Sequence, residues 1–156
     1  WGRGNGFVAL GLALTLHELP TEHPAHAELL NAFREHLQAM AKYQDYSGMW
    51  HQVVDYPGSY REFSGTCMTS FAIVRGIRSG WLTGGNYDRV IQRSWNAIKL
   101  RIGDDASVVD ICTGTGKQKD LKAYLNRQAI LGRDDRGGAM ALLFATEMAS
   151  WRRERQ

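Results

Sequence analysis

The 156 residues are 44% apolar and 22% charged, the balance of a single globular domain with a core of its own. Lys and Arg exceed Asp and Glu by only 19 to 16, and a net charge of +3 is too weak to argue for a nucleic-acid-binding face. Five Trp and six Tyr would suit an acidic, ring-shaped ligand equally well, composition does not choose between the two, and no apolar stretch reaches the length of a membrane span.

Residues 7–19 are apolar nearly all round. Leu10, Leu12, Leu14 and Leu16 alternate as in a strand, but Ala and Leu dominate and β-branched residues are few, so the segment reads as a helix. Asn5 is its expected N-cap and Pro20 its stop. A helix apolar on every face must be buried. Residues 24–43 differ: Leu29, Leu30, Phe33, Leu37, Met40 and Ala41 form one stripe and Glu28, Arg34, Glu35, Gln38 and Lys42 lie off it, which predicts a helix with one wet face. The alternation repeats. Residues 64–79 are small and apolar, residues 87–102 carry a Tyr87, Val90, Ile91, Trp95, Ile98 stripe, and residues 138–151 are apolar apart from Glu147. Buried and half-buried helices taken in turn are what a two-layer helical toroid requires, although a stack of helical hairpins fits as well. Two long connections, 44–61 and 103–136, are rich in glycine and aromatics. Val53-Val54 and Val108-Val109 are candidate short strands, and 121–125 a candidate helical turn. Long ordered loops in a compact fold usually carry function. No Pro/Ser-rich linker divides the chain, so residues 1–156 read as one domain.

The stretch Trp1-Gly2-Arg3-Gly4-Asn5-Gly6-Phe7 is the most informative. Glycine permits sharp turns and close backbone approach. The segment is therefore expected to turn tightly and present Trp1 and Arg3 together. A guanidinium fork suits a carboxylate and an aromatic face suits a sugar ring; a structural salt bridge for Arg3 is the other reading. The spacing is not that of a dinucleotide-binding loop, and no strand precedes it. Glu62 either caps the helix beginning near Ser64 or touches a ligand. His51, beside Trp50, either bonds sugar hydroxyls or packs within its loop. Asp104-Asp105 and Asp134-Asp135 sit by glycines and read as turns. Cys67 and Cys112 make no disulfide framework and read as buried thiols. His23-Pro24-Ala25-His26 lacks Cys or carboxylate neighbours for a metal, and Gly114-Thr115-Gly116 lacks a P-loop context. No cofactor and no metal is expected.

Trp1 to Phe7 resembles the tryptophan–arginine–glycine–asparagine motif of the unsaturated rhamnogalacturonyl hydrolases. Gly48-Met49-Trp50-His51-Gln52-Val53-Val54-Asp55 is similar to that family's next signature, and Ser59-Tyr60-Arg61-Glu62-Phe63-Ser64 to the one after. Cys112 to Gly116, Tyr124 to Arg127, and a Gly-rich start to a last helix carrying Glu147 resemble its final elements. Six matches in order are far more specific than any one. Phe7 departs from the family's usual Trp and would lose an indole N–H; Arg136-Gly137 replaces a common His-Gly.

The resemblance implies an all-α fold, part of an (α/α)6 toroid, acting on a 4,5-unsaturated uronic acid. It implies a general-acid Asp that protonates the C4–C5 double bond while water adds at C5, after which the hemiketal opens and the glycosidic bond is lost. That route differs from two-carboxylate displacement. The Asp is expected upstream of Trp1, with residues 1–156 as the C-terminal half of the catalytic domain. Arg3 would pair with the uronate carboxylate, Trp1, Phe7 and Trp50 would line the pocket, and His51, Glu62 and Ser64 would make further contacts. The expected partners are an acidic oligosaccharide and, over the inner helices, the other half of the toroid or a second copy; nucleic acid and membrane are not. The sister unsaturated glucuronyl hydrolases and a non-catalytic helical module, whether scaffold or sugar-binding, are the rival readings.

Overall fold

The computed structural model describes residues 1–84 and 86–156. Six helices carry the fold: α1 (Gly2–Glu18), α2 (His26–Lys42), α3 (Phe63–Arg78), α4 (Asn86–Lys99), α5 (Leu121–Leu125) and α6 (Asp135–Arg153). Two strands, β1 (Val108–Cys112) and β2 (Ala129–Gly132), pair antiparallel. Their register opposes Ile111 to Ile130 and Cys112 to Ala129, and is interrupted between Val108 and Ile111, where Asp110 takes a positive φ of 64°. The fold class is all-α, as expected.

α3 is the centre. It is covered almost from end to end, with Phe63 through Val74 and Gly76 all buried. α1 lies against one side of it and α6 against the other, while α2 and α4 form an outer layer that meets the inner helices with one stripe each. In α2 that stripe is His26, Phe33, Leu37 and Met40; in α4 it is Val90, Ile91, Ser94, Ala97 and Ile98. Trp95 crosses from α4 to meet Phe144 of α6 edge-to-face, 5.5 Å between centroids. The expected alternation of covered and half-wet helices is therefore present for α2, α3 and α4. α1 and α6 are only partly covered. Phe7, Val8 and Leu14 of α1 and Leu142 and Leu143 of α6 are exposed, because α2 and α3 reach only two sides of α1.

α1 begins at Gly2, five residues before the sequence placed it, and Asn5 is not its N-cap. Trp1 stands at the cap position, and Asn5 donates from Nδ2 to the Trp1 carbonyl, 2.9 Å, from inside the first turn. The glycines serve packing rather than a turn. A Cβ on Gly6 would lie 2.8 Å from Gly65 Cα, one on Gly65 2.8 Å from the Gly2 carbonyl oxygen, and one on Gly2 2.4 Å from the His51 carbonyl oxygen. Backbones at that distance leave no room for a side chain. Val53-Val54 is a turn and not a strand; the extended pairing there is the single bridge between His51 and Arg61. The strand at 108–109 and the helical turn at 121–125 are both present.

At the far end of the inner helices, Glu147 of α6 is 4% exposed and takes a two-pronged contact from Arg75 of α3, 2.8 and 2.7 Å. Arg78 bonds Glu147 and also Glu154. Burial pushes the Glu147 carboxyl upward, but the hydrogen bonds and charges of Arg75 and Arg78 outweigh it and hold the group below the ordinary glutamate range. A carboxyl depressed in the fold stabilises it above the unfolded value and loses that contribution as pH falls through the folded value. Thermal unfolding should therefore show Tm falling as pH drops from about 5 toward about 3. Glu147→Gln should flatten that dependence and lower stability at neutral pH by on the order of 2–3 kcal/mol. At the near end, Gly6→Val should lower stability by about 1–3 kcal/mol or more through forced separation of α1 and α3, read by denaturant unfolding; an unchanged midpoint would show that the helices can part freely.

Candidate substrate site at the helix starts

α1, α3 and α6 all begin at the same end of the molecule, and the residues at their starts converge. Glu62 occupies the N-cap of α3 because its backbone is extended there and its short reach returns to the first turn. Its side chain is fully buried. Oε1 accepts from Ser64 N (3.2 Å), Ser64 Oγ (2.7 Å) and Cys112 N (3.1 Å), and Oε2 accepts from Gly65 N (2.5 Å). Arg3, one turn into α1 and 1% exposed, donates from Nε to Ser64 Oγ (2.8 Å) and from Nη1 to the Gly114 carbonyl (3.4 Å); its Nη2 lies 3.6 Å from Glu62 Oε1. Of the two readings offered for Glu62, the cap is the geometry found, with the Arg3 ion pair added to it. Oε1 meets three donors besides the guanidinium and Oε2 meets one, so this fully buried carboxylate serves as a cap and counter-charge.

Above this pair is a cavity of about 290 Å³, lined by Arg3, Phe7 and Ser64 and continued by Thr115, Asp135 and Arg136. Met68, Ala139 and Met140 make its apolar wall. Arg136, in the first turn of α6, is held by Asp134 (Nη2 to Oδ2, 2.8 Å) and by the Thr113 carbonyl (3.1 Å). Asp134 caps α6 through Gly137 N, 2.8 Å, and Asp135 opens that helix, so this pair starts a helix where a turn was expected; Asp104-Asp105 do make a turn, with Asp105 accepting from Ser107 N. Trp1, expected in the lining, is not among the residues that line the cavity. Tyr124 packs on the Trp1 ring at 5.8 Å and the Arg127 guanidinium lies over it at 5.5 Å.

Trp50 stands elsewhere. It is buried in the core and donates from Nε1 to the Met40 carbonyl, 2.7 Å, so it holds the end of α2 and does not share a concave surface with Trp1 and Arg3. An aromatic in a Gly-rich loop reads as a ligand platform, but here the loop folds back over the helices and takes the ring inward. His51 is packed, with Nδ1 2.6 Å from the Ser59 carbonyl and Nε2 3.4 Å from Asp45. It borders a second cavity of about 460 Å³ on the outer rim, together with Tyr46, Asp55 and Arg61. Asp55 is thus apart from the cavity above Arg3. Cys67 and Cys112 are buried free thiols, and burial pushes Cys67 upward. Burial, then the neighbouring Cys112 and Glu62, pushes the Tyr60 phenol far up, so it stays neutral. Among the described residues no three His, Cys, Asp or Glu side chains gather as a metal ion would require. The sequence reading gave no role to Thr115, Arg127 or the Asp135 side chain. Thr115 and Arg127 entered it only as members of the Cys112–Gly116 and Tyr124–Arg127 motifs, and Asp135 only as a turn residue.

The sequence matches the model of glycosyl hydrolase family 88 over residues 1–151. The chain belongs to that family. It is 33% identical over 125 residues to an unsaturated rhamnogalacturonyl hydrolase of Bacillus subtilis, covering 80% of this chain and 34% of the relative. It is 29% identical over 153 residues to an unsaturated 3S-rhamnoglycuronyl hydrolase of an Alteromonas species, covering 97% of this chain and 35% of that one. Among solved structures, a possible member of the GH105 family from Salmonella enterica superposes with a TM-score of 0.88 at 29% identity, over 99% of this chain and 40% of its own. The chain thus spans about a third of the length of these curated relatives. Its inner and outer helices form part of the helical toroid shared with such structures.

The site analysis makes Glu62 structurally indispensable. Glu62→Ala leaves Arg3 buried without its counter-charge and the α3 cap empty, and should cost about 3–5 kcal/mol. Adding Arg3→Met should recover part of that loss. Denaturant unfolding of the two single variants and the double variant gives the coupling; strict additivity would mean that the pair is not the tie described.

Proposed function

We propose that this chain forms the substrate-holding part of a glycoside hydrolase that acts on 4,5-unsaturated uronic acids of the rhamnogalacturonan type. The observation that carries this reading is Arg3. It is buried, it lines a cavity between the starts of three inner helices, and its Nη2 has no hydrogen-bond partner among the described residues. A sealed guanidinium nitrogen without an acceptor suits a ligand rich in oxygen. Phe7, 45% exposed at the cavity wall, offers a face to a sugar ring, and Ser64 and Thr115 offer hydroxyls. The names of the Bacillus and Alteromonas relatives point the same way.

In this reading the double bond is protonated at C4, water adds at C5, and the hemiketal opens with loss of the glycosidic bond. The proton donor is an Asp outside these residues. Within them, Glu62 serves as a cap and counter-charge and Asp55 lies on the rim. The exposed Phe7, Val8 and Leu14 of α1, with Leu142 and Leu143 of α6, support further inner helices, or a second copy, as the cover for this face. The sister reading, an unsaturated glucuronyl hydrolase, shares the mechanism and differs in the linked sugar; a non-catalytic helical module would hold sugar and turn over none.

Turnover of an unsaturated rhamnogalacturonyl disaccharide, followed by loss of the conjugated double bond's ultraviolet absorbance, tests the proposal. The full-length enzyme should be active and this chain alone silent. In the full-length enzyme Phe7→Ala should lower kcat/KM by roughly tenfold, the worth of one lost ring contact, with little change in Tm. Absence of turnover by the full-length protein would reject the hydrolase reading, and clear turnover by the chain alone would place the acid among its own carboxylates, Asp135 first.

A further inference from the structure

Three arginines surround the start of α1, and their charges are not equally answered. Arg3 faces Glu62 at 3.6 Å, and Arg136 faces Asp134 at 2.8 Å. Arg127, which follows α5, pairs with no carboxylate among the described residues, and its guanidinium donates to none of their acceptors. It is nevertheless half-buried, lies over the Trp1 ring at 5.5 Å, and has its Nη1 sealed from solvent. Stacking on an indole offsets part of the loss of water, but it supplies neither an acceptor nor a counter-charge.

The unpartnered donors are neighbours. Nη2 of Arg127 lies 3.2 Å from the point where a Cβ on Gly114 would stand, and the Gly114 carbonyl takes Nη1 of Arg3. Trp1 Nε1 and Arg3 Nη2 are likewise buried without a partner. Glycine at 114 is what lets the two guanidinium groups approach one backbone turn. A group that satisfies all three must bring several acceptor oxygens and one negative charge.

We propose that Arg127 takes the carboxylate of the substrate's uronic acid, while Arg3, already neutralised by Glu62, and Trp1 donate to neighbouring oxygens. The inference deepens the hydrolase reading and rests on it for the identity of the ligand. Its physical content is separate: selectivity for the charged sugar resides in the arginine that has no carboxylate of its own. Arg3 then orders the site without adding net positive potential, since its field and that of Glu62 largely cancel beyond a few ångströms.

The test compares two probes that differ only at C6, methyl α-D-galacturonoside and methyl α-D-galactoside, titrated into this chain and followed by NMR. The chain should prefer the uronoside by roughly tenfold or more, as one charge-assisted contact allows. That preference should shrink as salt rises. In Arg127→Gln it should collapse to within about twofold, the size of a neutral hydrogen bond's contribution. Arg127→Lys should keep a preference for the acid. A parent chain without preference, or an Arg127→Gln chain that retains it, overturns the proposal. A purely structural role would lower Tm and both affinities together, leaving their ratio unchanged, and that result also counts against it. The hydrolase reading fails differently, by absence of turnover in the full-length enzyme with the charge preference intact.

Discussion

One buried carboxylate holds the working end of this molecule together. Glu62 ends the long connection after α2, caps α3, fixes the first residue pair of that helix, takes the Cys112 amide from β1 and balances Arg3 from α1. A charge removed from water is tolerable only when nearly all its lone pairs are met, and here four donor contacts and a guanidinium meet it. The arrangement is cooperative in a plain sense. Ser64 Oγ can donate to Glu62 and accept from Arg3 only if α1 lies close to α3. The β-hairpin can supply Cys112 N only if the 103–136 connection folds back over the helix starts.

Closeness is the second constraint, and glycine provides it. Gly2 and Gly6 on α1 face Gly65 on α3 with no space for a Cβ on any of them. The approach places Arg3, the residue after Gly2, against Ser64. It also explains a misjudged boundary. Three glycines in five residues disfavour a helix, so sequence reading starts α1 at the apolar run and assigns the cap to Asn5. Tertiary contact overrides that propensity: the α3 backbone and the His51-Gln52 segment, whose Gln52 carbonyl accepts from Gly2 N at 2.7 Å, supply the partners that local sequence lacks.

What the sequence made legible follows the same logic. α2 and α4 are each half wet, so their stripes appear directly in the order of residues. α3 is covered throughout and reads as small and apolar. α5 announces itself through Asp120, which caps it by accepting from Ala123 N. α1 and α6 read as buried on all faces because they are apolar all round, but the described helices cover only part of each, leaving Leu142 at 69% exposure. The geometry of the candidate site was legible where motif and contact coincide, at Arg3, Glu62 and Ser64. It was not legible where a side chain's role depends on which way a loop folds. Trp50 turns into the core and donates to Met40, and nothing in its immediate neighbours distinguishes that fate from a place on a sugar. Arg127 is the converse, a motif arginine given no role, whose interest lies in having no carboxylate partner among the described residues, a property of three dimensions only.

The electrostatics of the site are therefore a matter of residues left over after local accounts are settled. Three inner helices direct the positive ends of their dipoles toward one cavity, each equivalent to roughly half a charge. Two of those ends are answered at once, α3 by Glu62 and α6 by Asp134, each through its own cap. α1 has no side-chain cap, and its first amide is met by the neutral carbonyl of Gln52. Two of the three arginines are matched by the same two carboxylates. The capping anions that stabilise the scaffold thus also cancel most of the field the scaffold would generate. The surplus that remains lies on the α1 side, where an uncapped helix start and an unmatched arginine stand together over the ring of Trp1. A site built in this way can bury its structural charges as neutral pairs and still present one net positive corner. On the proposed reading, that corner would orient an acidic sugar with its carboxylate toward Trp1 and its opposite edge toward the open faces of α1 and α6.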